Sequence, residues 1–490
     1  MWYQMRFDID LRTRPSDAQR MSKEPLRILV VGDLMGASAS EAPPVDERPI
    51  VRVSVETLDD VFARFTPSVG LPALGLQVPL AFRALDDLHP DALFENVEIF
   101  DRFRTLRRRL QDPSTFAAAA DELRSDVPAE PSVRTAESDP AATDVSPDET
   151  TGVLLDRLLG QRSGVHPTTP PPNVARAQSG IESFIRSLVA PHIVAKEDPQ
   201  LPQFLSAVDA ATADTMRSVL HDPAFQRLEA TWRGVQWLLS RIDEGELEVC
   251  LFHLTRDELG AAAQPGSPFG LRLEPHGADA LPWSLVVADF AFGPSTDDMR
   301  TLLGLGHLLS GLRVQLVAAA EGALIGCEDI RAQTDPKTWT ELPADIAQLW
   351  TDVRSMPGSR FLGLAWPRLI LRLPYGKNAD PIEAFEFEEM TPNHSHEAYL
   401  WGNGALAAAL TMARTHLGPA DGLEGDIGDL PACTYQEDGE PTLKPCGEFC
   451  MTERAVDAVL ALGIMPLVSY RTRNAVRLVR LQSVGATAIG

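Results

Sequence analysis

A stretch of low-complexity sequence divides this chain into two unequal parts. Between residues 126 and 173 Ser, Thr, Pro, Ala and acidic residues dominate, and residues 170–172 are consecutive prolines. This composition buries too little apolar surface to offset the entropy lost on folding, so it predicts a flexible linker. About 45 flexible residues have an r.m.s. reach of roughly 35 to 40 Å, which lets the flanking parts touch. We therefore predict an N-terminal extension over 1–23 and domains over 24–125 and 174–490.

Length, apolar content and charge limit the classes of function open to the chain. With 490 residues, of which 44% are hydrophobic, it can bury substantial cores. Its 69 acidic and 44 basic residues leave a formal charge of −25 at pH 7. This charge opposes the phosphate-neutralising surface that nucleic-acid binding requires, so we expect no nucleic-acid partner.

Apolar runs and cysteines indicate the cellular compartment of the protein. The run at residues 458–470 is interrupted by Gly463 and Pro466, and it is well below the roughly 18 apolar residues that a spanning helix needs. Acidic residues near the N-terminus occupy the place of a signal peptide's apolar core. The five cysteines are an odd, sparse set for this length. We predict a cytoplasmic protein that has no disulfide framework and does not insert into a membrane.

The part before the linker has the patterns of a small mixed α/β domain. Residues 26–31 form a continuous apolar run that predicts a buried strand, and residues 50–55 alternate like a second strand. Apolar residues at helical spacing follow Thr57, which predicts a short helix capped by that side chain. Pro90 begins a helical pattern that continues to Leu110.

The part after the linker predicts a larger α/β domain. Helical spacing over residues 203–242, with Asp222 as a cap, precedes the first strand pattern. An apolar run at 283–288, a helix capped at Ser295 and a second run at 314–317 imply a right-handed crossover. The predicted fold class is α/β, as two mixed α/β domains joined by an acidic linker rich in Pro, Ser and Thr.

The N-terminal extension contains a candidate exchange strand. Phe7, Ile9 and Leu11 alternate with charged residues, and the polar residues 13–23 tether this strand loosely to the first domain. Such a strand can pair with the edge of a neighbour's sheet, where its apolar side chains set the register. The alternative is that it adds an edge to its own sheet.

A second candidate contact is an apolar island at residues 153–159 within the linker. Its leucines at helical spacing are Leu154, Leu155, Leu158 and Leu159. An island of this kind in a polar segment is typical of a docking motif that forms a short helix on its partner. A helix that rests on a neighbouring domain of the same chain is the alternative.

Motifs of catalysis and cofactor binding are weak throughout the sequence. His394, His396 and Glu397 could donate two imidazoles and a carboxylate to a metal ion. The two histidines nevertheless lack the i, i+4 spacing of a metalloprotease helix. We predict no catalytic residue, no cofactor and no metal site, and keep a metal-dependent hydrolase using these three residues as the rival hypothesis.

Longer segments of the sequence resemble a known family. Similarity to the small contractile-sheath subunit of bacterial type VI secretion systems covers PLRILVVGDLMG at 25–36, RALDDLHPDALF at 83–94 and LQDPSTF at 110–116. Similarity to the large sheath subunit covers HDPAFQRLEATWRG at 221–234, FLGLAWPRLILRLPYG at 361–376 and YLWGN at 399–403. The chain resembles a fusion of the two subunits in which the large one lacks its usual C-terminal region.

The resemblance implies a structural function. Small and large subunits of that family interlock, polymerise helically around an inner tube protein and contract to drive it outward. The implied partners are further copies or other sheath subunits, the tube protein, the baseplate and a recycling AAA+ unfoldase. The helix engaged by that unfoldase begins like residues 154–159, although Gly160 and Gly164 interrupt the helical pattern here. An accessory protein that docks on a sheath without polymerising is the alternative function.

Overall fold

The computed structural model describes most of the chain outside its N-terminal extension and linker. The described residues are 26–36, 42–74, 78–124, 201–242, 247–275, 281–329, 333–391, 395–417, 425–437 and 440–485. The chain divides into two compact units, one of Met1–Phe100 with Thr212–Gly490 and one of Asp101–Ala211. The first unit therefore contains sequence from both sides of the linker.

A single large sheet organises the first unit. Its nine strands are β1 (Leu26–Gly32), β2 (Val51–Val53), β5 (Leu247–His253), β6 (Leu285–Phe292), β7 (Gln315–Ala320), β8 (Leu362–Trp366), β11 (Asp426–Ile427), β14 (Met465–Ser469) and β15 (Val476–Leu478). They lie in the order β11-β15-β14-β8-β7-β6-β1-β5-β2. The strands from β14 to β5 are parallel, whereas β2, β15 and β11 pair antiparallel at the two sides.

Three smaller antiparallel pairs accompany the large sheet. They are β3 (Ser68–Val69) with β4 (Leu80–Ala81), β9 (Leu369–Ile370) with β10 (Trp401–Gly402), and β12 (Thr434–Glu437) with β13 (Glu440–Leu443).

Helices accompany the sheet in the first unit and form the described part of the second unit. Those within the first unit are α1 (Leu58–Phe65), α2 (Pro90–Asn96), α6 (Pro223–Leu239), α7 (Arg256–Ala262), α8 (Pro268–Leu273), α9 (Thr296–Leu312), α10 (Gly322–Ile325), α11 (Ala344–Ser355), α12 (Ala405–Leu417) and α13 (Glu453–Ala461). The second unit contains α4 (Phe116–Arg124) and parts of α3 (Glu98–Gln111) and α5 (Leu201–Leu220), both of which continue into the first unit. Short 3-10 helices lie at Pro72–Leu74, Leu85–Leu88, Pro336–Thr338, Pro357–Phe361 and His396–Ala398.

The α/β fold class is confirmed, and most predicted elements occur close to their predicted positions. The apolar run at residues 26–31 forms β1, an interior strand of the sheet that is buried on both faces. Asp222 caps α6 as predicted, since its Oδ1 accepts the Ala224 N–H at 2.8 Å. The run at 283–288, the helix after Ser295 and the run at 314–317 form β6, α9 and β7, with β6 and β7 parallel.

Two local predictions are wrong. The Thr57 side chain does not cap α1, because its Oγ1 accepts the Ser54 N–H at 3.0 Å instead. The helical pattern that begins at Pro90 is divided into α2 and α3 at Val97, whose ψ of 130° is extended. Leu93 of α2 and Phe100, Phe103 and Leu110 of α3 are nevertheless buried.

Candidate functional site

The candidate functional site is the joint in the large sheet where the two parts of the sequence meet. Strand β1 comes from the part before the linker, yet it pairs with β5 on one side and β6 on the other. The register runs from Leu26 opposite Leu247 to Gly32 opposite His253, and Ile28 lies opposite Leu285. Neighbouring strands lie about 4.8 Å apart. Without β1, therefore, β5 and β6 would be separated by a gap of about 10 Å and would both have unpaired edges.

Ion pairs hold the strand and its flanking loop in this position. Arg27 Nε lies 3.0 Å from Glu248 Oε1, across the β1–β5 register. The guanidinium of Arg48 is 3% exposed and forms a two-pronged pair with Glu258, at 2.6 and 2.7 Å. The hydrogen bonds from Arg48 lower the pKa of Glu258 to about 2, helped by the Thr255 N–H that the same carboxylate accepts. Glu258 therefore both completes the cap of α7 and holds residues from before the linker.

A tryptophan of α6 fills the space beneath α1. The ring of Trp232 is fully buried, with its centroid 4.7 Å from that of Phe62 and 5.8 Å from that of Phe65. Its indole Nε1 donates to the Leu34 carbonyl at 2.9 Å. A large ring with its one polar atom satisfied adds apolar burial without a desolvation penalty. The helix from after the linker is thus packed directly on the helix from before it.

A second contact between the two parts involves α2 and the segment 375–389. The Asp91 carboxylate accepts the N–H groups of Glu383 and Ala384 at 3.1 and 2.8 Å. The ring of Phe94 lies 4.8 Å from that of Phe385, and His89 meets Tyr375 edge-on at 4.9 Å. These contacts attach the segment 375–389 to a helix that precedes it by nearly 300 residues.

Buried charges connect this segment to α6. Arg372 pairs with Glu229 at 2.8 Å and with Glu389 at 2.7 Å, and both carboxylates are fully buried. Arg233 completes the group at 2.6 Å from Glu229, so two cations face two anions. Burial by itself would raise the pKa of Glu389, but the charge of Arg372 and its hydrogen bonds outweigh burial and lower this pKa to about 2. We call these residues with Tyr375 the buried ion network.

Sequence reasoning did not identify the buried ion network, because its members are far apart in the chain. Glu229 and Arg372 are separated by 143 residues. One signal was present: Arg372 interrupts the apolar run LILRLP at residues 369–374. A lone arginine within a run of buried apolar residues indicates a charge that must find a buried partner.

The predicted metal-ligating residues belong to a different polar cluster. His394 lies outside the described residues, whereas His396 and Glu397 meet Glu448, with one ligand atom of each within 4.8 Å of the others. Arg368 donates to Glu397 at 2.9 Å and to Glu448 at 2.6 Å, and Lys444 Nζ lies 3.1 Å from His396 Nδ1. We call these residues the Arg368 cluster.

The Arg368 guanidinium already contacts both carboxylates that a metal ion at this cluster would use. Burial opposes the charged form of Arg368, but the charges of Glu448 and Glu397 outweigh it and raise the arginine's pKa, so the guanidinium stays charged. A divalent ion bound by Glu397 and Glu448 would have to displace this guanidinium from both carboxylates. The geometry therefore favours an ion-pair network over a metal centre.

A cleft lies at the carboxyl ends of β1 and β6. Its volume is about 440 Å³, and its polar lining includes Asp33, Asp289, Thr231 and Arg227. The Thr231 hydroxyl donates to the Asp289 carboxylate at 2.6 Å, and burial raises the pKa of Asp289. Asp33 accepts the Gly36 N–H at 2.9 Å, in the turn that leaves β1. Both carboxylates thus hold chain segments of the joint in place.

The remaining predicted contact residues lie outside the described residues. They are Phe7, Ile9, Leu11, Leu154, Leu155, Leu158 and Leu159. A search of the described helices finds none that is both long enough and apolar enough to span a bilayer.

Comparison with known proteins matches the parts of the chain on the two sides of the joint to two different families. Residues 203–269 and 274–485 match the family described as "EvpB/VC_A0108, tail sheath N-terminal domain", and residues 3–129 match that described as "Type VI secretion system, VipA, VC_A0107 or Hcp2". The type VI secretion system sheath protein TssC1 of Pseudomonas aeruginosa is 26% identical over 340 residues, which cover 64% of this chain and 68% of that protein.

Since the tail-sheath model matches more than half of its length, the chain belongs to the type VI tail-sheath family. It is a structural component of the contractile sheath, and it combines the small and the large sheath subunit in one polypeptide. The predicted resemblance to a fusion of the two subunits is confirmed. Strand β1 is one place where the small-subunit part pairs directly with the large-subunit part.

Proposed function

We propose that this chain is a sheath protomer, which assembles helically with further copies around an inner tube in the cytoplasm. The observation that carries the proposal is the position of β1 between β5 and β6. A strand in the middle of the sheet makes the small-subunit part a component of the same folded body as the large-subunit part. The protomer then works as a structural element rather than as an enzyme.

Fusion of the two subunits has a physical consequence for assembly. Joining the parts by one chain fixes their ratio at one to one and raises their effective concentration to about the millimolar range. The joint therefore forms without a strong bimolecular affinity. Cutting the chain at residues 126–146 after folding should leave fragments that still co-elute, because the sheet, the Arg48–Glu258 pair and the packing of Trp232 on Phe62 hold them together.

Phe7, Ile9 and Leu11 are proposed to pair with a neighbouring protomer. The alternation of these residues suits a strand added at a sheet edge, and a contact of this kind that repeats without closing produces a helical filament. Deleting residues 1–14 should then leave a folded, monodisperse protein that no longer forms larger assemblies. An unfolded product would assign the strand to its own sheet, and unchanged assembly would exclude a role for it.

The linker leucines are proposed as a handle for the recycling AAA+ unfoldase. Leu154, Leu155, Leu158 and Leu159 would form one apolar side of a short helix on that partner. Leu155→Asp and Leu158→Asp should abolish binding to the unfoldase without lowering the melting temperature. A marked loss of stability would instead assign the segment to the fold. Contact with the baseplate is proposed on the same family grounds.

Electron microscopy tests the proposed function directly. The purified protein should form sheath-like filaments, and tube protein should become enclosed in them. Decoration of a preformed sheath without filaments of its own would favour the accessory function. The hydrolase would be favoured if the purified protein contained zinc and had an activity, and if both were lost in the double variant His394→Ala/His396→Ala. The proposal would be overturned if the protein neither assembled nor bound to a sheath.

A further inference from the structure

Two arginines at the carboxyl ends of α6 and α12 donate to main-chain carbonyls beside strand β11. Arg241 donates to the Asp429 carbonyl at 2.7 Å, and Arg414 donates to the Asp426 carbonyl at 3.2 Å. Burial and the charge of Arg414 lower the pKa of the Arg241 guanidinium, and burial also lowers the pKa of Arg414. The carboxyl end of a helix stabilises a cation, but the two guanidiniums still repel each other in partly buried surroundings.

Two further arginines share one carboxylate at the same strand. Arg473 and Arg477 lie 3.1 and 3.6 Å from the two carboxylate oxygens of Asp426, which also accept the Tyr470 hydroxyl at 2.8 Å. Among the described residues, the carboxylates beside the four arginines are those of Asp426 and Asp429, so four cations share two anions. We call the four the β11 arginines: Arg241, Arg414, Arg473 and Arg477.

The surplus of positive charge at the β11 arginines is opposite to the charge of the chain as a whole. The formal charge of the chain is −25 at pH 7. The side chains of Arg473 and Arg477 are 52% and 33% exposed, so part of the surplus faces solvent. An exposed patch of this kind attracts an acidic surface and repels a basic one. The β11 arginines are therefore a candidate docking surface for an acidic partner.

A segment of the same chain has the complementary charge. Residues 380–388, which we call the acidic segment, contain four acidic residues and no basic residue. Glu383 and Glu386 are exposed, and within the part of the chain that the structure describes neither carboxylate has an ion pair or a hydrogen bond. The main chain of the segment is held in place, because the Glu383 N–H donates to the Asp91 carboxylate at 3.1 Å. A segment that is already ordered can dock at a lower entropic cost than a flexible one.

The acidic segment and the β11 arginines lie at opposite ends of α6. Arg217, which precedes α6, donates to the Glu388 carbonyl at 2.8 Å, so the acidic segment lies beside the amino end of this helix. Arg241 follows the last residue of α6 by two positions. The 17 residues of α6 span about 26 Å, which is longer than an arginine side chain can reach. The opposite charges of one copy therefore cannot pair with each other.

We propose that the β11 arginines of one copy dock on the acidic segment of a second copy of this chain. This inference rests on the proposed function, because it names one contact through which protomers assemble. Complementary charges at opposite ends of a helix form a head-to-tail contact, which repeats into an open filament. Several ion pairs act together in this contact, whereas a single exposed pair contributes little.

Reversing the charge of the acidic segment tests this contact. Glu383→Arg/Glu386→Arg places cations opposite the β11 arginines and changes only exposed side chains. The protein concentration needed for assembly should rise about tenfold, because like charges then meet in the contact. Glu328→Arg/Glu341→Arg is the matched control, since it makes the same change of charge at two other exposed positions, and it should assemble like the unmodified protein. Equal assembly of the two variants would overturn the proposal.

Mixing two variants tests whether the contact joins separate copies. Arg241→Glu/Arg473→Glu reverses the other surface and should also raise the concentration needed for assembly about tenfold. In an equal mixture with Glu383→Arg/Glu386→Arg, every contact between the two variants joins opposite charges, so assembly should return towards that of the unmodified protein. No recovery in the mixture of two folded variants would overturn the proposal. Circular dichroism and melting temperature establish that each variant is folded, and the acidic-segment variant tests the contact even if the arginine variant is not.

The outcomes separate this contact from the proposed function. If the unmodified protein and all variants form filaments equally well, the sheath function stands and the charged contact is wrong. If the unmodified protein forms no filaments, the proposed function fails and the contact fails with it. If the arginine variant forms filaments normally but no longer encloses tube protein, the acidic partner of the β11 arginines is the tube protein, which overturns the contact between copies.

Discussion

The buried ion network and the Arg368 cluster contain the same chemical groups in different surroundings. In each, one arginine lies between two glutamates. The Arg372 side chain is 7% exposed, and both of its carboxylates are fully buried. The Arg368 side chain is 38% exposed, and one of its partners, Glu397, is 64% exposed. Water can therefore replace part of the Arg368 cluster but none of the central contacts of Arg372.

The comparison shows where the fold depends on charge. Arg372 connects α6 to the segment that Asp91 and Phe94 hold, so it supports the contact between the two subunit parts. The ion pairs of Arg368 and of Arg372 both join residues that come after the linker, so Arg372 supports that contact only through the segment 375–389. Removing the partner of a buried ion costs much more stability than removing the partner of an exposed ion. The two clusters should therefore respond differently to the same substitution.

The largest expected effect is that of Arg372→Met. This change keeps an apolar stem but leaves Glu229 and Glu389 buried with one cation fewer. It should lower the free energy of unfolding by about 3–5 kcal/mol, the usual result of breaking a buried pair. Urea denaturation at pH 7 measures the loss. A loss below about 1 kcal/mol would show that water or neighbouring groups replace the guanidinium.

Arg368→Met should have a smaller effect. Glu448 would keep its contact with His396, while Glu397 would turn to solvent. We expect a loss of about 1–3 kcal/mol, the cost of one poorly satisfied buried group. Arg107→Met is the exposed control, since Arg107 and Asp209 are 45% and 43% exposed, and it should cost less than about 1 kcal/mol. If Arg368→Met lowered the free energy of unfolding as much as Arg372→Met, burial would not be the factor that distinguishes the two clusters.

The smallest expected effect is a dependence on pH. The folded-state pKa of Glu389 is about 2, below its ordinary value of 4.5, so its stabilising contribution is present above pH 4.5 and is lost as the pH falls towards 2. Without Arg372 this pKa rises, and the variant has no such contribution to lose. The difference in stability between the unmodified protein and Arg372→Met should narrow by about 1 kcal/mol between pH 7 and pH 4. A difference that widens in acid would contradict this assignment.

The contrast between local and distant interactions explains which predictions succeeded. The continuous run at residues 26–31 predicted a buried strand, and the cap at Asp222 predicted the start of α6, because both depend on neighbouring residues. The Thr57 cap failed because Ser54 competes for the same hydroxyl. The partners of Arg372 could not be predicted, since residues 143 positions apart meet only after the sheet has formed.

The sequence by itself determined the α/β class, the positions of the main helices and the resemblance to two sheath subunits. These properties depend on apolar periodicity, caps and long matching segments, all of which are local. Only the tertiary structure decided that β1 lies between β5 and β6, since every parallel strand with two apolar faces has the same pattern wherever it lies in a sheet. It also decided that the carboxylates near His396 face Arg368, because opposite charges from distant segments pair only where the fold brings them together.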